Sequence, residues 1–144
     1  MTKVALDVGQ ARIGLAVSQG SLVLPLESFD NNEAGLTNLY AELDFRNPEV
    51  IYVGLPVNLK NQSTTSTEKA IEFARLLAAK GFEIRLIDER LTTKTAQTKA
   101  REAGKNSKQS RSFIDALAAA AILEFALSKE LDGLAGISIE ELDA

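Results

Sequence analysis

The sequence predicts an α/β fold in which one mixed sheet is covered by helices on both faces. Its composition, 45% hydrophobic and 25% charged over 144 residues, is typical of a single globular domain with its own core. Three apolar segments near the N-terminus are joined by short turns, which favours antiparallel pairing. Two later apolar segments alternate with helical ones, which favours parallel pairing through crossover helices.

The first three elements are predicted strands. Residues 3–8 form the first predicted strand, and residues 12–18 form a second strand after a tight turn at Gly9. Residues 22–28 form a third strand, which we expect at the edge of the sheet because Pro25 cannot donate to a strand partner.

The later elements alternate between helix and strand. Apolar residues at helical spacing predict a helix over 33–46 that ends at Asn47-Pro48, and the apolar run 50–55 predicts a central strand. The remaining predictions are a polar loop over 56–66, a helix over 67–80, a strand over 83–88, and helices over 93–103 and 110–128. We therefore expect one domain over 1–128, followed by a poorly ordered acidic tail over 129–144.

The composition also restricts the possible chemistry. The chain has no Cys and no His, which excludes a thiol nucleophile, a Ser-His-Asp triad and a zinc site built on these residues. A metal site would consist of oxygen ligands, which suit Mg²⁺ or Mn²⁺. The N-terminus lacks the pattern of a signal peptide, and the longest apolar run, 116–123, is too short to span a bilayer. We expect a cytoplasmic protein with no membrane partner.

Three carboxylates lie at positions where a purely structural role would be costly. Asp7 lies near the end of the first strand, Glu89 follows the fifth, and Asp115 lies on an apolar helix face. The carboxyl ends of parallel strands meet at one edge of a sheet, so Asp7 and Glu89 are expected together there, with the helix adding Asp115. Such a cluster repels itself unless cations neutralise it, and pairs of divalent ions catalyse displacement at phosphate.

Each carboxylate also has a structural explanation that its position alone leaves open. Asp7 could accept hydrogen bonds from the turn that follows it. Glu89 could pair with Arg85 or Arg90, and Asp115 could stabilise the N-terminus of its helix.

Four segments resemble the YqgF/RuvX family, whose members are described as Holliday junction resolvases and as nucleases of pre-16S rRNA. They are LDVGQARIGLAVS (6–18), VGLP (53–56), DERLTT (88–93) and FIDALAAAAILE (113–124), in the order of the family. The resemblance covers about residues 3–128. It implies an RNase H-like fold with a five-stranded mixed sheet in the order 3-2-1-4-5, and it implies that Asp7, Glu89 and Asp115 form an acidic metal site.

The resemblance favours a metal-dependent endonuclease that cuts structured RNA during 5′-end processing of pre-16S rRNA in ribosome biogenesis. We expect two Mg²⁺ or Mn²⁺ ions, with Asp7 bridging both and Glu89 and Asp115 each holding one. The segment 90–111 has a net charge of +6, against −10 for the rest of the chain, and charge alone favours a solvated surface over a binding site. The expected phosphate-binding residues are Arg12, Arg90, Lys94, Lys99, Arg101, Lys105, Lys108 and Arg111.

Two other functions remain open. A Holliday junction resolvase would apply the same chemistry to four-way DNA and would need a dimer to cut two strands symmetrically. A non-catalytic RNA-binding factor in ribosome assembly or transcription would gain little from three carboxylates facing phosphate. The sequence does not decide between RNA and DNA, between monomer and homodimer, or whether ribosomal precursor particles are a partner.

Overall fold

The computed structural model describes residues 2–56, 65–89, 108–130 and 133–143, apart from the side chains of 108–110. The helix predicted over 93–103 and most of the polar loop predicted over 56–66 lie outside these residues. Among the described residues, no helix is long and apolar enough to cross a membrane.

The described elements follow the predicted order and add two at the C-terminal end. They are β1 (Thr2–Val8), β2 (Arg12–Gln19), β3 (Leu22–Asp30), α1 (Glu33–Arg46), β4 (Val50–Leu55), α2 (Thr65–Ala79), β5 (Ile84–Asp88), α3 (Lys108–Ser128), β6 (Ile137–Ser138) and α4 (Ile139–Asp143). The end of α1 is set by Asn47, which adopts a left-handed conformation with φ 46° and donates its backbone N–H to Leu43.

The strands form one mixed sheet in the order β3-β2-β1-β4-β5-β6. Strands β1, β2 and β3 are antiparallel, and β1, β4 and β5 are parallel, so the predicted order 3-2-1-4-5 is confirmed. Strand β3 lies at an edge, as Pro25 indicated, and its pairing with β2 is irregular: Ala16 pairs with Pro25 while Leu15 pairs with Glu27.

The sheet has six strands rather than five, because part of the predicted tail pairs with β5. Arg85 in β5 donates from Nε to the carbonyl oxygen of Ala135 (2.9 Å) and from its terminal nitrogen to that of Gly136 (2.6 Å). These bonds hold the backbone before β6 against the edge of the sheet. Arg75 of α2 forms an ion pair with Asp143, which connects α4 to α2. The acidic composition of the tail gave no sign of this partner.

The two faces of the sheet bury separate cores, which confirms helices on both sides. Val4, Leu6 and Val8 of β1 point to the face covered by α1 and α2. Ala5 points to the opposite face, which α3 covers. Since side chains alternate along a strand, Asp7 lies on the α3 face near the carboxyl end of β1.

Candidate active site

Asp7 lies at the centre of the sheet with a glycine beside it in each neighbouring strand. Gly14 of β2 is its direct partner across the antiparallel pair. In β4, Val53 pairs with Leu6, so Gly54 comes next to Asp7 on the other side. Because neither glycine has a side chain, there is space over Asp7 on the face that α3 covers.

Gly14 allows α3 to approach the sheet. A Cβ atom added to Gly14 would collide with the backbone carbonyl group of Asp115. Neighbouring strands are about 4.8 Å apart, so a helix seated on Gly14 brings Asp115 close to Asp7. The negative charge of Asp115 is one of the causes that raise the pKa of Asp7.

Gly54 performs the same role for Glu89. A Cβ atom added to Gly54 would lie 2.7 Å from Oε1 of Glu89 and 2.5 Å from Cδ1 of Ile122. The Glu89 side chain thus crosses over Gly54 and reaches Asp7, with which it forms a hydrogen bond. A hydrogen bond between two carboxyl groups requires a proton on one of them.

Burial controls the protonation of this pair. Desolvation is the main cause that raises the pKa of Glu89 to about 9, and the hydrogen bond and negative charge of Asp7 and the charge of Asp88 add to it. Desolvation also raises the pKa of Asp7, although its hydrogen bond with Glu89 acts in the opposite direction. Because the pKa of Glu89 lies well above 7, this carboxyl group retains its proton at neutral pH and can donate the hydrogen bond to Asp7.

Arg12 forms an ion pair with Asp115 that the sequence analysis missed. Its Nε atom donates to Oδ2 of Asp115 at 2.6 Å. Arg12 and Gly14 are two residues apart in β2, so both face α3, and this spacing is the signal that could have predicted the contact. A residue expected to bind phosphate is therefore joined to one expected to bind metal.

The remaining predicted phosphate-binding residues are mostly beyond the described part of the chain. Arg111 is exposed in the first turn of α3, one turn before Asp115. The side chains of Arg90, Lys94, Lys99, Arg101, Lys105 and Lys108 lie outside the described residues.

The donor chemistry of the site fits a hard divalent cation. Asp7 and Glu89 supply carboxylate oxygens. Their raised pKa values show that the surrounding positive charge is too small to keep both groups ionised, and a bound cation would supply that charge. Within the described ranges, however, no three acidic side chains are disposed around a single ion position. Asp7 and Glu89 are together, whereas the Asp115 carboxylate is bound to Arg12.

Comparison with known proteins gives consistent results. The model of the RuvX family, described as Holliday junction resolvase, matches residues 1–129. A protein of Clavibacter sepedonicus named "Putative pre-16S rRNA nuclease" is 40% identical over 138 residues, covering 90% of this chain and 84% of the relative. A Mycobacterium tuberculosis protein with the same name is 41% identical over 143 residues, covering 93% and 82%.

Among solved structures, Thermus thermophilus RuvC in complex with a Holliday junction substrate matches with a TM-score of 0.56 and 16% identity. The match covers 94% of this chain and 99% of RuvC, and it confirms the RNase H-like fold. Since the family model covers most of the chain and the curated relatives are about two-fifths identical over nearly all of it, the chain belongs to the RuvX family of nucleic-acid hydrolases.

Proposed function

We propose that this chain is a metal-dependent endonuclease that cuts structured RNA at the 5′ side of the 16S rRNA precursor in the cytoplasm. The observation that supports the proposal is the hydrogen-bonded pair of Asp7 and Glu89 at the carboxyl edge of the sheet, with Asp115 on the helix that packs against Gly14. The name of the curated relatives supports pre-16S rRNA as the substrate.

Asp7 and Glu89 would hold the first Mg²⁺ or Mn²⁺ ion, and Asp115 would complete the site for a second. When bound, such ions supply Lewis acidity that activates a water molecule and stabilises the leaving oxygen. Ionisation of both Asp7 and Glu89 releases the proton that they share. Arg111 is exposed on the same helix as Asp115, and we expect it to contact a flanking phosphate.

The test is cleavage of a labelled fragment of the 16S precursor with Mn²⁺, with Mg²⁺ or with EDTA. We expect cleavage only with a divalent ion, and a loss of at least about 100-fold in Asp7→Asn, because the central ligand is removed. Asp44→Asn is the matched control, since Asp44 is an exposed acid on α1, and it should cleave at the wild-type rate. Cleavage in EDTA, or unchanged cleavage by Asp7→Asn, would contradict the proposal.

A second candidate is resolution of four-way DNA junctions, which the description of the matched family favours. It requires two copies of the chain to cut two strands, so a homodimer should form on the junction. A labelled junction in the same assay separates the two functions. If the protein cleaves the junction but not the RNA, junction resolution becomes the favoured function. RNA binding in EDTA with cleavage of neither substrate would instead favour a non-catalytic role on ribosomal precursor particles.

A further inference from the structure

We propose that Arg12 is an internal counter-ion that pairs with Asp115 in the metal-free chain. A divalent cation displaces Arg12 from Asp115, and Arg12 then becomes available to a substrate phosphate. This inference rests on the metal site of the proposed function. It gives Arg12 a role that alternates between two anionic partners.

The backbone fixes Asp115 in place, whereas Arg12 can move. Asp115 is held at Gly14, where α3 lies directly against β2. The Asp115 side chain is 19% exposed and that of Arg12 is 34% exposed, so the guanidinium is the partner on the solvent side. Separation of the pair therefore requires movement of a long side chain and no movement of the helix.

A cavity beside the ion pair provides room for this movement. Arg12 lines a space of about 400 Å³ between β3, α1 and the start of α3, and the other lining residues include the polar Ser28, Asn38 and Ser112 and the acidic Glu27 and Asp30. Polar walls allow a guanidinium group to remain solvated after it leaves the carboxylate. The hydroxyl oxygen of Ser112 accepts hydrogen bonds from the backbone N–H (2.9 Å) and from the hydroxyl (3.2 Å) of Ser28, which keeps this wall in place.

The charges favour the exchange when a cation enters. Without a cation, Arg12 compensates the charge of Asp115, which otherwise adds to that already present at Asp7. A divalent ion bound among these acids supplies two positive charges and repels the guanidinium at close range. Asp115 then becomes free to bind the ion, and Arg12 is displaced toward the cavity where a phosphate could meet it.

The test is the affinity of the intact chain for Mn²⁺, measured by isothermal titration calorimetry without nucleic acid. Arg12→Gln should bind Mn²⁺ about fivefold more tightly, because a competing ion pair of roughly 1 kcal/mol is removed. Arg12→Lys, which keeps the charge but lacks Nε, should lie between this variant and the wild type. Arg111→Gln is the matched control, since it removes the same charge one turn from Asp115, and it should stay within about twofold of the wild type.

The second arm measures the same substitution in an Asp115→Asn background. If Arg12 acts through Asp115, Arg12→Gln has no further effect there. The inference would be overturned if Arg12→Gln and Arg111→Gln increased the affinity for Mn²⁺ equally, or if Arg12→Gln still increased it in the Asp115→Asn background. Either result would mean that the substitution acts through the net charge of the protein and not through the ion pair. If Arg12→Gln binds Mn²⁺ with the wild-type affinity, only the inference about Arg12 is overturned. If neither the wild type nor any variant binds Mn²⁺, the proposed metal site is overturned as well.

Discussion

In the absence of divalent cations, the folded protein should lose stability as the pH rises from about 6 to about 8.5. The cause is Glu89, whose pKa is raised from 4.5 to about 9 in the folded state, chiefly by burial. Between these values the folded chain keeps a proton that the unfolded chain has released. The stabilising contribution of this proton is fully present below about pH 4.5 and disappears as the pH rises through about 9.

One proton corresponds to a slope of about 1.4 kcal/mol in the free energy of unfolding per pH unit. For a chain of 144 residues this is roughly 3 to 6 °C in Tm per pH unit. The pH range is favourable because the chain has no His and no Cys, so the α-amino group is the main ordinary group that also titrates there. The contribution of Glu89 to the pH dependence of stability should therefore be measurable with little correction for the titration of other groups.

The assay is urea unfolding followed by circular dichroism at several pH values in EDTA. Glu89→Gln removes the titrating group and should remove the slope. Glu68→Gln is the matched control, because Glu68 is exposed on α2, and it should retain the slope. Saturating Mn²⁺ should abolish or reverse the slope in the wild type, since the cation binds the ionised carboxylates.

Stability that is constant or rises over this pH range in EDTA would refute the reasoning. An unchanged slope in Glu89→Gln would show that another group is responsible. Either result would mean that Glu89 is ionised at neutral pH before any cation binds.

Three further perturbations test the packing that positions the site and the C-terminal segment. Gly14→Ala should cost at least about 2 kcal/mol of stability and reduce cleavage, because α3 must move away from β2; an unchanged unfolding midpoint would contradict this close approach. Arg85→Ala should speed hydrogen exchange in β6 by about tenfold, since two hydrogen bonds to the backbone before β6 are lost, while exchange in β1 stays as in the wild type. Tyr52→Phe should lower the free energy of unfolding by about 1 to 3 kcal/mol in urea melts, because its fully buried hydroxyl bonds Glu130 and the backbone N–H of Ala135; a loss below a few tenths would refute it.

The positions of the strands and helices could be predicted because the signals are local. Pro25 marked an edge strand, and the apolar run 50–55 marked a central one; both are confirmed. The same locality explains what was missed near the C-terminus. Whether an acidic segment packs on a sheet depends on a partner elsewhere in the chain, and here that partner is Arg85.

The sequence by itself determined that Asp7 and Glu89 would lie at one edge of the sheet, because strand direction follows from the lengths of the connections. The tertiary structure alone decided how the site is assembled. Gly14 and Gly54 matter only because the register places them on either side of Asp7. Arg12 meets Asp115 across 103 residues of sequence, since a helix seated on a glycine brings the two side chains to one point. Contacts of that range depend on packing, which no local pattern records.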